Sequence, residues 1–132
     1  MRAVDTNVLV RYMAADDPVQ TRTAEKFIEL CRRKDDPIFI PILVLCELVW
    51  VLERSYKIRK TGVLAALDQI LETDIFVIEN DNLVRLSIEE YRAGRGNFAD
   101  YLIGNVAKQA GCPDTVTFDR ALTGARGFTM LR

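Results

Sequence analysis

Short apolar runs alternate with longer amphipathic stretches from one end of the chain to the other. Ala3 to Asp5 is a brief apolar start, and Asn7 to Ala14 then has helical spacing until Asp16, Asp17 and Pro18 break it. Pro18 suits the first turn of a second helix capped by an aspartate, running through Phe27, Ile28 and Leu30 to the polar break at Lys34, Asp35, Asp36 and Pro37. Ile38 to Ile40 reads as a strand. Ile42 to about Tyr56 is too long and too evenly apolar for a strand, so it reads as a largely buried helix, followed by another from roughly Thr61 to Glu72.

The second half repeats the rhythm. Ile75 to Ile78 predicts a strand, and Asn80 and Asp81 cap a helix that reaches Tyr91 and ends near Gly94 and Gly96. Ala99 to Ala110 predicts a helix stopped at Gly111, Thr115 to Phe118 a fourth strand, and Phe128 to Leu131 a fifth after a helical turn behind Asp119. Alternation of this kind predicts an α/β fold with a mainly parallel sheet covered on both faces. With 132 residues and 49% of them apolar, a single domain over 1–132 is expected.

Composition narrows the chemistry. Lysine plus arginine total 18 against 19 for aspartate plus glutamate, so any surface for phosphate is local rather than global. Three widely spaced cysteines, Cys31, Cys46 and Cys112, fit neither a disulfide framework nor paired zinc spacing, and point to a reducing cytoplasm. The longest apolar stretch, Ile38 to Leu52, is broken by Pro41 and Glu47 and falls short of the ~20 residues that span a bilayer. Asp5 arrives before any signal-peptide apolar region develops, so a soluble cytoplasmic protein is expected. There is no histidine, which excludes Ser-His-Asp and Cys-His nucleophile systems. A hydrolase built from this chain must use carboxylates, lysine or metal-activated water.

Four carboxylates are candidates. Asp5 and Asp119 each close an apolar strand, where ligands of an open parallel sheet bind, and each can equally be a helix cap. Asp100, three residues after Asn97, can be a first-turn acid that complements the helix dipole. Glu47 has Leu43, Val44, Trp50 and Val51 as its helical neighbours, which predicts a carboxylate facing the core. Such a group is neutralised, paired or metal-bound, unless it escapes to solvent or meets an arginine. Hard oxygen donors of this kind suit magnesium or manganese.

The order of Val4-Asp5-Thr6-Asn7, Glu47 within a helix, Asn97-Phe98-Ala99-Asp100-Tyr101-Leu102, and Thr115-Val116-Thr117-Phe118-Asp119 resembles the PIN-domain family. More narrowly it resembles the VapC toxins of toxin–antitoxin pairs, over almost the whole chain to Gly127-Phe128-Thr129-Met130-Leu131. The resemblance implies a five-stranded parallel sheet in a three-layer α/β/α sandwich. It also implies an endoribonuclease using one or two Mg2+ or Mn2+ ions and leaving a 5′-phosphate and a 3′-hydroxyl. By resemblance Asp5, Glu47, Asp100 and Asp119 are the acidic positions, with Asp5, Asp100 and Asp119 as direct ligands and Glu47 direct or through water. Thr6, Asn7 and Thr117 match supporting polar positions, which can equally serve turns and caps. A homodimer and a VapB-like antitoxin lying across the acidic site are implied as partners, with the apolar faces of helices 18 to 34 and 42 to 56 available for these contacts or for the core.

Arg54, Lys57, Arg59 and Lys60 can guide an RNA backbone or form an ordinary solvated helix end, while Arg11 and Arg120 lie nearer the acids in sequence. Trp50, Tyr12 and Tyr101 can stack bases, although core packing is the expectation for Trp50. The family's pattern is departed from at Gly104 and Asn105, expected to loosen the helix holding Asp100, and at Arg120-Ala121-Leu122, which lacks an extra acid and leaves a second metal unassigned. A non-catalytic RNA- or partner-binding module is the alternative. A haloacid dehalogenase-type phosphatase is disfavoured because Asn7 stands where a second aspartate is needed, and a receiver domain because Glu79-Asn80-Asp81 follows the third strand.

Overall fold

In the computed structural model, which describes residues 1–132, the strands are two or three residues long, and the turns that follow the first, second and fourth are held by polar side chains. The chain falls into two units, Met1–Glu79 and Asn80–Arg132.

The first unit contains β1 (Arg2–Ala3), α1 (Thr6–Ala14), α2 (Pro18–Arg33), β2 (Ile38–Ile40), α3 (Ile42–Arg54), α4 (Lys60–Glu72) and β3 (Phe76–Ile78). The strands form one parallel ladder in the order β1-β2-β3, with Arg2 opposite Ile38 and Ile38 opposite Phe76. Parallel neighbours need a crossover, and α1–α2 and α3–α4 supply the two. Ile38, Ile40, Leu45, Leu48, Leu67 and Ile70 are buried in its core, each contributing about 1.5–3 kcal/mol of apolar transfer. Pro18 does open α2, and the Asp17 carboxylate accepts a hydrogen bond from Gln20 N at 3.0 Å, as the sequence predicts. Pro41 has no side-chain cap to offer α3, and Glu79, just past β3, takes that role by accepting from Ile42 N at 2.8 Å. A long-range cap of this kind leaves no local sequence signal.

The break between α1 and α2 is fastened by polar side chains. Arg11 donates to Gln20 Oε1 at 2.5 Å and pairs with Asp16 at 3.4 Å, while the Tyr56 hydroxyl donates to Asp16 Oδ2 at 2.8 Å. The Asp16 carboxylate, through this hydrogen bond, pushes the Tyr56 phenol up. Arg11 therefore has structural partners.

The second unit contains α5 (Asp81–Ala93), α6 (Phe98–Gln109), β4 (Thr115–Thr117), a single 3-10 turn (Arg120–Leu122) and β5 (Phe128–Met130). β4 and β5 form a second parallel ladder, with Thr115 opposite Phe128. All five expected strands are thus present and parallel, hydrogen bonded as three and two rather than as one ladder. Boundaries move by a residue or two: Phe118 lies beyond β4, and α3 ends at Arg54 rather than near Tyr56.

Gly104 and Asn105 do not loosen α6, contrary to the sequence expectation. The helix is unbroken from Phe98 to Gln109, and Asn105 fastens it to α5 by donating to Ser87 Oγ at 2.9 Å and Glu90 Oε1 at 2.6 Å. Ser87 is fully buried and itself donates to Leu83 O at 2.8 Å. Gly104 makes room for the Phe128 ring, whose nearest carbon would lie 2.8 Å from an added Cβ. Asn105→Ala is expected to destabilise the protein by about 1–3 kcal/mol, because partners that lose their donor stay half-buried. Chemical denaturation measures this, and a loss below about 0.5 kcal/mol would show that the two bonds carry no net weight.

Candidate active site

Asp5 and Thr6 stand where β1 turns into α1. Asp5 is the N-cap of α1, its Oδ1 accepting from Val8 N at 3.4 Å, and its side chain is otherwise open to solvent. Thr6 is buried, and its hydroxyl reaches across to donate to Glu47 Oε1 at 2.8 Å. One residue therefore joins the two acids of this unit. Asn7, the next side chain, is exposed, and with Asp5 it lines a cavity of about 600 Å³ between β1, α1 and α2, walled by Val4, Val8, Ala24 and Phe27. Arg2 covers the Phe27 ring at 5.0 Å from its centre.

Glu47 does not face the core. The buried side of α3 is Val44, Leu45, Leu48, Val49 and Leu52, and Glu47 lies on the opposite side with Leu43 and Trp50. Trp50 is 59% exposed, so the expectation that it packs in the core is also overturned. Of its apolar neighbours at three and four residues, Leu43 and Trp50 are exposed beside it, Val51 is half-buried, and only Val44 belongs to the buried side. Beside it, burial and then the Glu47 charge push the Cys46 thiol up, which keeps it protonated and poor as a nucleophile or ligand.

In the second unit, Asp100 closes the α6 N-terminus by accepting from Asn97 N at 2.8 Å, the return half of a capping box. Beneath it, Gly96 is buried, and a Cβ there would come within 2.6 Å of Leu122 Cδ2, 3.1 Å of the Tyr101 hydroxyl and 3.2 Å of Asp100 Oδ2. Tyr101 is buried and its hydroxyl accepts from Gly96 N at 2.9 Å, so it is not free to stack a base. Asp119 caps the 3-10 turn, its Oδ1 accepting from Ala121 N at 2.9 Å, while its own N–H donates to Thr117 Oγ1 at 3.0 Å. Gly96 and Leu122 thus bring the turn after Asp119 against the turn before Asp100. Thr117 is one of the supporting polar positions that the resemblance implies, whereas nothing local in the sequence marks Gly96 for its job beyond its small size.

Each of the four acids has the hard oxygen donors that a divalent cation such as magnesium takes. Asp5, Glu47, Asp100 and Asp119 each have one carboxylate oxygen held by a hydrogen-bond donor, and none is in an ion pair with lysine or arginine. Lone pairs on the second oxygen remain for a ligand. No three of the chain's Cys, Asp or Glu side chains come together as a metal-holding group. The acids stand in pairs, Asp5 with Glu47 through Thr6, and Asp100 with Asp119 through Gly96 and Leu122.

The family model described as the PIN domain matches residues 2–126. The chain belongs to the PIN domain family. Its fold class is accordingly α/β/α with parallel strands, and the relationship is to VapC-type toxins. Over 120 residues it is 31% identical to a VapC ribonuclease of Aquifex aeolicus (strain VF5), covering 91% of this chain and 88% of that protein. It is also similar to the crystal structure of Mycobacterium tuberculosis VapC20, a sarcin–ricin loop-cleaving toxin, at 21% identity and a TM-score of 0.45 over 96% of both chains. No helix of this PIN chain is long and apolar enough to cross a membrane.

Capping and ligation by the same acid can be separated. Asp100→Ala is expected to lower stability by about 1 kcal/mol, and Asp100→Asn, which keeps an acceptor oxygen, by less than half as much. Equal losses in denaturant unfolding would show that charge rather than the hydrogen bond holds the turn.

Proposed function

We propose that this PIN protein is a metal-dependent endoribonuclease, the toxin of a VapBC-type toxin–antitoxin pair, with residues 1–132 acting as one domain. The observation that carries the reading is the state of the four motif acids: each is fixed by one hydrogen bond, and none is matched by a protein cation. Asp5, Asp100 and Asp119 would hold one or two Mg2+ or Mn2+ ions directly, and Glu47 directly or through water. Such an ion supplies an activated water and offsets charge that builds on the scissile phosphate.

The chain's own residues prepare this chemistry. Thr6 fixes one Glu47 oxygen and leaves the other outward, Thr117 fixes the backbone that presents Asp119, and Asn7 offers an uncommitted amide beside Asp5. Without a cation, carboxylates repel a phosphodiester, so RNA cleavage by this set depends on divalent metal. The mostly apolar cavity beside Asp5 supports the VapB-like partner, whose C-terminal segment would lie across the acids. The proposal includes a homodimer acting in the cytoplasm, as the resemblance to VapC toxins implies.

Purified protein is expected to cut RNA with magnesium or manganese and to stop on chelation; equal cleavage in chelator would sink the metal mechanism. Asp5→Ala and Asp119→Ala are expected to abolish cleavage. Thr6→Val should lower it about 10–100-fold and Thr6→Ser should restore most of it, since the hydroxyl acts by positioning Glu47. RNA binding without cleavage in either metal would instead select a non-catalytic RNA- or partner-binding module. In a sensitive host, wild type and Asp5→Ala should differ in growth and in newly formed RNA 5′ ends.

A further inference from the structure

The outer face of α3 carries a row that the fold does not use. Leu43, Glu47, Trp50 and Arg54 are spaced by four, three and four residues, which places them on one side of the helix. Leu43 is 76% exposed and Trp50, the only tryptophan in the chain, is 59% exposed. An indole is among the most costly side chains to leave in water, and here it makes no buried packing that would account for it. The Arg54 guanidinium stands 5.9 Å from the ring centre and is in no ion pair, and the exposed Lys57 and Arg59 follow, also outside any ion pair.

We propose that this face is a platform for single-stranded RNA, with one base stacked on Trp50 and the adjoining backbone running over Arg54 toward Lys57 and Arg59. The inference rests on the ribonuclease reading and names where substrate would lie. Charge supports it: beyond Trp50 the exposed Arg54, Lys57 and Arg59 outnumber the half-buried Glu53, and the other acid of the row is Glu47. Trp50 is three residues from Glu47, about 4.5 Å along the helix axis, so the stacked nucleotide would neighbour the one presented to the acids.

Because Trp50 is the sole tryptophan, its fluorescence reports this face alone. In an Asp119→Asn background with magnesium, titration of a short mixed-sequence single-stranded RNA should quench the fluorescence saturably. Trp50→Ala should weaken binding, followed by fluorescence anisotropy of a labelled RNA, by about 10-fold, and Trp50→Phe should stay within about 3-fold of the parent. Arg54→Ala should reduce the slope of log affinity against log salt by about 0.7. RNA that binds without moving the fluorescence, or equally tightly to Trp50→Ala, would overturn the platform. So would a Trp50→Ala protein that changes its sedimentation as an oligomer while keeping its RNA affinity, which would assign the face to self-contact. Cleavage of the same RNA by otherwise unaltered protein separates the two levels of reading. Cleavage with a silent Trp50 removes the platform alone, and neither binding nor cleavage removes the ribonuclease reading with it.

Discussion

Every helix begins with backbone N–H groups that have no partner inside the helix, and something must accept from them. In this chain carboxylates do much of that work: Asp5 for α1, Asp17 for α2, Glu79 for α3, Asp100 for α6 and Asp119 for the turn behind β4. A carboxylate needs only one oxygen to satisfy such a donor. The fold therefore places acids at the starts of helices and turns for its own stability and leaves each with an oxygen to spend on chemistry. Capping and ligation, which look like competing explanations in the sequence, are compatible uses of one group.

This explains which parts of the site were legible. Asp5 and Asp119 could be found because the strand-to-helix switch is local, and the local chemistry of a cap is written in a few adjacent residues. Glu47 was found for a reason that proved wrong. Its apolar neighbours suggested burial, but helical spacing only states which residues share a side, and apolar residues stand on both sides of α3. The partner that orients it, Thr6, lies 41 residues away. Long-range pairs of that kind, like Glu79 with Ile42, leave no trace in a window of sequence.

Asn105 carries the same lesson for the fold. A polar residue interrupting an apolar helix reads as a weakness when its partner is unknown. Once Ser87 and Glu90 are seen to receive its two donors, it becomes the element that sets α6 against α5, and so sets where Asp100 begins. A half-buried amide with both protons satisfied can specify a packing that leucines alone would allow to slide. The five strands were easier to read than the helices' outer surfaces, because strand ends are marked by turn residues and surfaces are not.

Gly96 bears on how this protein can vary over time. Three independent groups, the Leu122 methyl, the Tyr101 hydroxyl and the Asp100 carboxylate, crowd the space that a single methyl group would occupy. Drift at position 122 or 101 is therefore felt at the Asp100 turn, and drift at any of them is felt through the hydrogen that Gly96 presents in place of a side chain. A lineage can exchange leucine for another residue at 122 only with a matching adjustment at the start of α6. The turns that carry the two acids of the second unit are in that sense sterically coupled, tied by the width of one missing carbon.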